Sequence, residues 1–283
     1  MEKFVQRAKT LIEALPYIKK FNSKTIVFKY GGSIGSKDFS NFARDIVLMK
    51  LVGINPVIVH GGGAEISKVL KSLKVESNFI DGLRVTCPKT MEVVEMVLGG
   101  KVNKEIVSKI IMNGGKSVGI SGKDGGLLKV KKLKASKKGQ DLGRVGEITK
   151  VDIKLITELQ DNGYIPVVAP IGSDNKGVSY NINADHAASK IASSLKAEKL
   201  IILTDVPGIQ DEKRKLISSI TKKSANSLIR KGVIAKGMVP KVKCLVQALM
   251  DGVNKAHIID GRIPHAVILE TFTDSGIGTE ILL

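Results

Sequence analysis

The chain has 283 residues, 43% of them hydrophobic and 25% charged, which suits a globular protein with a full hydrophobic core. No apolar run approaches the roughly 18 residues that a membrane span requires. The N-terminal residues lack the apolar core of a signal peptide. We therefore expect a cytoplasmic protein with no membrane partner.

The charge is strongly basic, with a formal net charge of +18 and a pI of about 9.8. Binding to nucleic acid is one reading of such a charge. However, only seven of the 45 basic residues are arginine and aromatic residues make up 4% of the chain, whereas base readout and stacking need both types. We expect no nucleic-acid partner and interpret the densest basic run, Lys129–Lys138, as a solvated face that attracts anionic substrates.

The two cysteines, Cys87 and Cys244, are far apart and form no C-x-x-C pattern, and the four histidines are not clustered. A disulfide framework or a structural zinc site is therefore not indicated. We expect reduced thiols and assign the chain no metal ligands of its own.

The N-terminal segment, residues 1–22, has apolar residues at helical spacing until Pro16 interrupts the pattern. These apolar residues are Phe4, Ala8, Leu11, Ile12 and Leu15. The spacing predicts an amphipathic helix, which could pack on its own domain or equally on a partner subunit.

The first glycine turn follows a short apolar run, Thr25–Phe28, that is typical of a strand buried on both faces. Lys29 follows this run, and Gly31 and Gly32 come after Tyr30. Bare glycine amides beside an ammonium group can bind phosphate oxygens. Taken alone, such a turn is more often an ordinary connection between a strand and a helix.

The same arrangement recurs downstream, where the buried strand Pro56–Val59 leads directly into His60 and three glycines at 61–63. A third buried strand, Ile165–Ala169, follows a helix at Asp152–Asn162. Strands that alternate with helices predict a parallel sheet with a ligand crevice at the carboxyl ends of the strands.

A polar cluster after the third strand contains Asn181, Asn183 and Asp185 and opens a helix. Asn183 suits the N-cap and Asp185 suits the first turn, where the helix dipole favours an anion. Capping alone accounts for both of these residues but leaves Asn181 unexplained. Arg84, further upstream, is either a surface residue or one half of an arginine–carboxylate fork.

The C-terminal part begins with a predicted strand at Lys199–Thr204, and no low-complexity linker precedes it. Helices at Lys222–Lys231 and Met238–Gly252 and a strand at Ala256–Ile259 follow. We expect two continuous lobes, residues 23–196 and 197–283, that share one extended sheet.

Several classes of nucleotide-binding enzyme are excluded by their missing motifs. The chain has no P-loop, no G-x-G-x-x-G fingerprint and no protein-kinase signature. What remains is glycine amides, lysines and Asp185, which suit phosphoryl transfer. The best acceptor is a carboxylate, because it is already ionised at neutral pH and needs no general base.

Five motifs occur in the order found in the amino acid kinase family, and the likeness covers essentially the whole chain. They are KYGG at 29–32, HGGG at 60–63, GLRVT at 82–86, NINAD at 181–185 and GMVPK at 237–241. The chain resembles in particular the members that act on an N-acetylated glutamate. The resemblance implies an α/β fold, a three-layer αβα sandwich around a mainly parallel central sheet. It also implies ATP-dependent phosphorylation of the γ-carboxylate of N-acetyl-L-glutamate, the second step of arginine biosynthesis.

Residue roles follow from the same resemblance. Lys29 and Lys241 resemble the two lysines that stabilise the transferring phosphoryl group, and Asp185 resembles the aspartate that holds them. Substrate binding falls to Gly62, Gly63, Arg84 and Asn181, with Arg84 as the clamp for the α-carboxylate. The implied ATP-binding positions are Gly31, Gly32, Asp205, Val206, Pro207, Gly208, Ile209, Gln210, Val233, Ile234 and Ala235.

The implied cofactors are ATP and the Mg²⁺ that accompanies its phosphates. The N-terminal helix resembles that of hexameric, arginine-inhibited members, where the inhibitor binds between this helix and C-terminal elements such as His265–Thr279. We expect a homo-oligomer, a homodimer core that this helix could extend to a hexamer. Two alternatives stay open: a sister kinase acting on N-acetyl-aminoadipate, and a non-catalytic nucleotide- or amino-acid-binding regulatory module.

Overall fold

The computed structural model describes residues 1–31, 36–134, 140–235 and 237–283, without the side chains of residues 3, 7 and 36–38. The α-helices are α1 (Glu2–Glu13), α2 (Leu15–Phe21), α3 (Ser36–Leu51), α4 (Gly63–Ser72), α5 (Pro88–Glu95), α6 (Asn103–Met112), α7 (Lys154–Asp161), α8 (Ala184–Ser194), α9 (Lys222–Arg230), α10 (Met238–Met250) and α11 (Ala266–Thr271). The strands are β1 (Thr25–Tyr30), β2 (Asn55–His60), β3 (Phe79–Ile80), β4 (Leu83–Arg84), β5 (Ser117–Ser121), β6 (Leu128–Lys132), β7 (Gly146–Val151), β8 (Ile165–Ala169), β9 (Ile171–Ser173), β10 (Ser179–Asn181), β11 (Lys199–Thr204), β12 (Ser219–Thr221), β13 (Lys255–Asp260) and β14 (Thr279–Leu282).

The central sheet has the strand order β12-β14-β13-β11-β1-β2-β8-β5. In this order, each strand from β13 to β5 is parallel to its neighbour, whereas β14 runs antiparallel to β13. Parallel neighbours follow from helical crossovers, which cover both faces of such a sheet. The predicted mainly parallel α/β sheet is confirmed.

Alternate residues of β1 enter two different hydrophobic clusters, as the period of two in a strand requires. Val27 packs in a cluster with residues of α8 and α10, and Ile26 and Phe28 pack in another with residues of α3, α6 and α11. All three side chains have no exposed surface. Helical layers therefore cover both faces, and the predicted three-layer αβα sandwich is confirmed.

The predicted boundary between the two lobes falls beside the most central pairing of the sheet. β1 pairs in parallel with β11, with Ile26 opposite Lys199 and Lys29 opposite Ile202. One sheet therefore runs through both predicted lobes. The division at residues 196 and 197 stays a prediction.

A smaller sheet of order β10-β9-β6-β7 and the hairpin β3-β4 accompany the central sheet. β6 and β7 are antiparallel neighbours in the smaller sheet. Residues 135–139, which include most of the second half of the basic run, lie outside the described residues.

The helical segment that follows β4 is long and irregular. It begins at Pro88, where the Cys87 thiol accepts a hydrogen bond from the amide of Thr90 at the N-terminus of α5. Between α5 and α6 the chain forms a π-helical segment, Met96–Val102, that contains the glycine pair 99–100. Such segments are often found at functional sites, and this one brings Leu98 towards the second glycine turn.

The N-terminal segment forms two helices, α1 and α2, with Pro16 in the first turn of α2, where a proline is tolerated. The apolar stripe of α1 is exposed, with Leu11 at 75% and Phe4 and Ile12 each at 67% of full exposure. The predicted amphipathic helix is confirmed, and within this single chain its stripe is not covered.

Candidate active site

Two lysines from distant parts of the chain meet one aspartate at the carboxyl end of β1. Lys29 Nζ lies 2.9 Å from Asp185 Oδ1, and Lys241 Nζ lies 2.8 Å from Asp185 Oδ2. The side chains of Lys29 and Asp185 are 9% and 8% exposed, and that of Lys241 is 19% exposed. The structure therefore brings together the three residues predicted from the sequence to be catalytic.

Local structure fixes the position of each of these three groups. Lys29 is the fifth residue of β1, a strand that is buried on both faces. Asp185 lies in the first turn of α8, whose N-cap Asn183 accepts hydrogen bonds from the amides of Asp185 and His186. The predicted N-cap role of Asn183 is thus confirmed. Lys241 lies one turn into α10.

Burial and charge act in opposite directions on the cluster. Burial lowers the pKa of Lys29, and the neighbouring ammonium of Lys241 lowers it further, against the opposing effect of Asp185. Burial alone would raise the pKa of Asp185, but the two ammonium groups outweigh it and the pKa is lowered. The Asp185 carboxylate is therefore ionised at neutral pH. It pairs with two ammonium groups, although a single one would neutralise its charge.

Arg84 is buried, 6% exposed, and its guanidinium is held by neutral acceptors of its own chain. Nη2 donates to Gly63 O at 2.9 Å and to Ser67 Oγ at 2.8 Å, and Nη1 donates to Ser77 Oγ. The guanidinium also lies over the ring of Phe79, 4.6 Å from its centroid. The surface-residue alternative for Arg84 is wrong, because neighbouring side chains enclose it.

Asn181 lies at the end of β10, and its amide donates to Thr86 Oγ1 at 3.2 Å. Thr86 is fully buried and donates in turn to Arg84 O at 2.8 Å. A cavity of about 180 Å³ opens between these groups. Its lining includes the four predicted substrate-binding residues, Gly62, Gly63, Arg84 and Asn181, together with the apolar side chains of Ile66, Phe79, Leu83 and Leu98.

The second glycine turn closes one wall of this cavity and starts α4. A Cβ on Gly62 would lie 2.5 Å from Leu98 Cδ2, so no side chain fits there without displacing Leu98. Of the first turn, Gly31 is buried at the end of β1. Gly32, predicted to bind ATP, lies outside the described residues.

The predicted ATP-binding segments follow β11 and precede α10. The first of them, residues 205–210, begins directly after β11, and Ile209 N donates to Thr279 Oγ1 at 2.9 Å. Residues 233–235 follow α9. Ile209 and Ile234 are 1% and 3% exposed and belong to the core, so their side chains do not face a nucleotide. Only the backbone atoms of Ile209 and Ile234 could contact a nucleotide.

Sequence reasoning missed the residues that support the site. Ser67 and Ser77 accept hydrogen bonds from Arg84, and Thr86 accepts one from Asn181. Asn103 contacts His60 beside the glycine turn. His60 was visible because it adjoins the glycines. Thr86 ends the GLRVT motif, whereas Ser67, Ser77 and Asn103 are single polar residues. Their partners at the site lie 7 to 43 positions away, and no local pattern marks these three residues.

The family model described as the amino acid kinase family matches residues 24–260. The chain therefore belongs to the amino acid kinase family, as its sheet and its clustered lysines also indicate.

Several relatives that match over essentially the whole chain are named acetylglutamate kinase. The protein from Carboxydothermus hydrogenoformans is 55% identical over 290 residues, which cover 99% of each chain. Those from Heliobacterium modesticaldum and Geotalea uraniireducens are 54% and 53% identical and cover 100% of each chain.

Among solved structures, N-acetylglutamate synthase from Neisseria gonorrhoeae with coenzyme A and N-acetyl-glutamate superposes with a TM-score of 0.88 at 26% identity. This chain is covered to 98% and spans 63% of the synthase. The same synthase with L-arginine gives a TM-score of 0.85 at 25% identity, covering 97% of this chain and 65% of that one. Carbamate kinase from Giardia lamblia bound to AMP-PNP shares the fold at a TM-score of 0.64 and 18% identity, covering 92% of this chain and 98% of that one.

Across the residues that the structure describes, none of the helices is both long and apolar enough to cross a bilayer.

Proposed function

We propose that the chain is an acetylglutamate kinase, which transfers the γ-phosphoryl group of ATP to the γ-carboxylate of N-acetyl-L-glutamate in arginine biosynthesis in the cytoplasm. The observation that supports this most strongly is the convergence of Lys29 and Lys241 on Asp185 beside the cavity that contains Arg84. The relatives named acetylglutamate kinase, 52–55% identical over nearly their full length, support the same substrate.

The reaction needs no proton transfer at the acceptor. One oxygen of the substrate γ-carboxylate forms a bond to the γ-phosphorus of ATP, and the bond from that phosphorus to the β,γ-bridging oxygen breaks. The products are N-acetyl-L-glutamyl 5-phosphate and ADP, whose terminal phosphate keeps the electron pair. The γ-carboxylate of the substrate is ionised at neutral pH, so no general base is needed to deprotonate it. This agrees with a site whose charged groups are two lysines held by Asp185.

Lys29 and Lys241 supply the positive charge that phosphoryl transfer requires. Charge spreads over the equatorial oxygens of a loose transition state, and fixed cations placed around them lower its free energy. Asp185 binds both ammonium groups at 2.8–2.9 Å, so the two cations are held in place before a phosphate arrives. Because the cluster has one positive charge in excess, it favours an anionic ligand.

Mg²⁺ enters the proposal with the nucleotide. Within the described ranges, no group of three or more His, Cys, Asp or Glu residues is placed to hold a metal ion. We therefore assign Mg²⁺ no protein ligand. When bound, it would neutralise part of the charge on the phosphates of ATP.

The substrate side of the proposal rests on the cavity that contains Arg84 and Asn181. The guanidinium of Arg84 can hold the α-carboxylate of an N-acylated amino acid by a charge-assisted hydrogen bond. Asn181 offers an amide to the acyl group, and the apolar walls suit its methyl group.

The test is a coupled assay of ADP formation with N-acetyl-L-glutamate and with N-acetyl-aminoadipate, in which hydroxylamine traps the acyl phosphate as a hydroxamate. We expect turnover with N-acetyl-L-glutamate at least tenfold above that with the longer acid. Turnover of the longer acid alone would instead identify the sister kinase. Nucleotide binding without turnover of either acid would identify a regulatory module.

We further propose that arginine inhibits the enzyme at a second cavity of about 180 Å³, between α2 and the C-terminal elements. Its lining includes Tyr17 and Lys20 of α2 and also Lys199, Lys255, Glu270, Asp274 and Glu280. Lysines suit the carboxylate of arginine, and the acidic residues suit its guanidinium and amino groups. The related synthase that was crystallised with L-arginine supports this choice of ligand.

The exposed stripe of α1 supports a homo-oligomer in which this helix packs on a partner subunit. Phe4, Leu11 and Ile12 together present a large apolar patch, which single chains rarely leave in water. Sedimentation of the full chain and of Leu11→Asp tests this assembly. We expect the variant to form a smaller particle, and an unchanged particle would contradict a role for α1.

A further inference from the structure

His60 lies beside the glycine turn of the substrate cavity, and the proposed mechanism does not use it. It is the last residue of β2 and has no exposed surface. Its Nδ1 lies 2.9 Å from Gly61 O, and its Nε2 lies 3.2 Å from Asn103 Nδ2. Two specific contacts on a buried ring call for an explanation beyond packing.

Asn103 determines which of the two imidazole nitrogens is the donor. Its Nδ2 also lies 2.9 Å from Val167 O, and its Oδ1 accepts from Lys104 Nζ at 3.2 Å. The carbonyl requires a donor and the ammonium requires an acceptor, so the amide orientation is fixed. Asn103 Nδ2 has two hydrogens for three acceptors, since Ile120 O also lies 3.3 Å away, and it can only donate. His60 Nε2 therefore faces a donor and is the acceptor, which leaves the proton of the neutral ring on Nδ1, towards Gly61 O.

The Nδ1–H group then donates to Gly61 O and holds the Gly61–Gly62 peptide in one orientation. In a trans peptide the C=O and the following N–H point in opposite directions. With Gly61 O turned towards His60, the amide hydrogen of Gly62 points away from the ring. Gly62 lines the substrate cavity, and its Cα has no room for a side chain on the face of Leu98.

We propose that His60, held in one tautomer by Asn103, is a positioning residue that aims the Gly62 amide at the oxygens of the reacting groups. The catalytic part of this inference rests on the proposed kinase function. A preorganised amide acts without reorganisation at the moment of reaction, and loss of one such donor elsewhere costs about 10²–10³-fold in turnover.

The environment of the ring agrees with this assignment. Burial lowers the pKa of His60 to about 4, against the hydrogen bond to Gly61 O, so the ring is neutral at physiological pH. Asn103 is itself 1% exposed, and a Cβ on Gly119 would lie 1.8 Å from its Oδ1. Gly119 therefore leaves room for the Asn103 side chain.

The tautomer is tested directly by long-range ¹H–¹⁵N correlation spectra of the full-length protein labelled at its four histidines, with His60→Asn to assign the signal. We expect the His60 ring to be protonated on Nδ1 from about pH 6 to about pH 8. Protonation on Nε2 would overturn the proposal. This measurement needs no turnover, so it stands whether or not the kinase assignment does.

The kinetic test uses two variants that each keep one half of the imidazole. In His60→Asn, the side-chain amide can still donate to Gly61 O, as Nδ1 of the imidazole does. In His60→Gln, the longer side-chain amide instead reaches Asn103, as Nε2 of the imidazole does. We expect kcat of His60→Asn to stay within about threefold of wild type. We expect His60→Gln to lose about tenfold or more in kcat, with KM for ATP changed by less than about threefold.

Thermal unfolding of both variants controls for stability, because either change leaves part of the buried site unfilled. Equal losses of kcat in the two variants, or a larger loss in His60→Asn, would overturn the positioning role. A wild-type protein without phosphoryl transfer would instead contradict the proposed function, and the labelled-histidine spectrum would still decide the tautomer.

Discussion

The two charged sites of the molecule lie towards opposite ends of the same parallel strands. Lys29 of β1 stands opposite Ile202, near the carboxyl end of β11, and Lys199 begins β11 opposite Ile26. Three residues of register separate them, about 10 Å along the strands. The proposed catalytic cluster has two ammonium groups on one carboxylate, whereas the lining of the second cavity has lysines and carboxylates in equal number.

Because the two sites differ in charge balance, they favour different kinds of ligand. An excess of fixed positive charge favours phosphate oxygens and stabilises charge in a transition state. A balanced set of charges favours a zwitterion, such as an amino acid with a charged side chain. Lys29 lies on β1 and Lys199 lies on the neighbouring strand β11, so the pairing of these two strands offers a physical connection between the two sites.

The largest predicted effect that tests this contrast comes from Asp185→Asn. The variant keeps the shape of the side chain but removes the anion that holds Lys29 and Lys241, so we expect kcat to fall by about 10²–10³-fold. Steady-state kinetics with N-acetyl-L-glutamate measures the loss. Retained wild-type turnover would show that the two lysines need no carboxylate to hold them.

The same variant gives a pH-dependent prediction. The two ammonium groups lower the pKa of Asp185 in the folded chain, against the effect of burial. Its stabilisation is thus complete above the unfolded value of about 3.9 and is lost as pH falls towards the folded value. We expect the difference in unfolding free energy between wild type and Asp185→Asn to shrink from about pH 5 to about pH 3. A constant difference across this range would contradict the ion pairing.

A smaller effect is predicted for Arg84→Lys, which keeps the charge but loses the planar donor group that bonds Gly63, Ser67 and Ser77. We expect KM for N-acetyl-L-glutamate to rise by about 10- to 100-fold, because a charged hydrogen bond to the substrate and its positioning are lost. KM for ATP should stay within about twofold. A matched rise in both values would place Arg84 outside the acceptor site.

Tyr17→Phe tests the second cavity without touching the first. The Tyr17 hydroxyl donates to Asp274, which joins α2 to the C-terminal segment beside the cavity. We expect unchanged turnover without arginine and about a tenfold weaker arginine inhibition, the usual size of one lost hydrogen bond to a charged group. Inhibition curves of the two proteins measure it, and identical curves would remove Tyr17 from the regulatory site.

The smallest effect is predicted for Gly62→Ala, because Leu98 can move aside in part. The new methyl group would lie 2.5 Å from Leu98 Cδ2, and we expect a several-fold loss of kcat. Leu98→Ala removes the obstructing atom, so the double variant should recover part of the loss. A double variant with additive losses would show that Gly62 is needed for another reason.

The sequence alone predicts the parallel sheet well because buried strands such as β1 and β2 are short apolar runs that end in glycine turns. The sequence also predicts that Lys29, Asp185 and Lys241 belong to one site, because all three lie in the ordered motifs of the family. The π-helical segment is not predictable, since Gly99 and Gly100 are equally compatible with a bend or a helix end. Two further features depend on tertiary packing, which no local sequence pattern indicates. They are the contact between His60 and Asn103, 43 residues apart, and the hydrogen bond from Tyr17 to Asp274 beside the second cavity.

The most direct test of the central claim is single-turnover transfer of ³²P from [γ-³²P]ATP to N-acetyl-L-glutamate, with enzyme in excess over ATP. Wild type is compared with Lys29→Met, Lys241→Met and the control Lys20→Met, whose lysine lines the second cavity. We predict that either active-site variant slows the transfer step by about 10²-fold or more, while the control keeps the wild-type rate. Wild-type transfer in Lys29→Met or Lys241→Met, with ATP bound, would contradict the account.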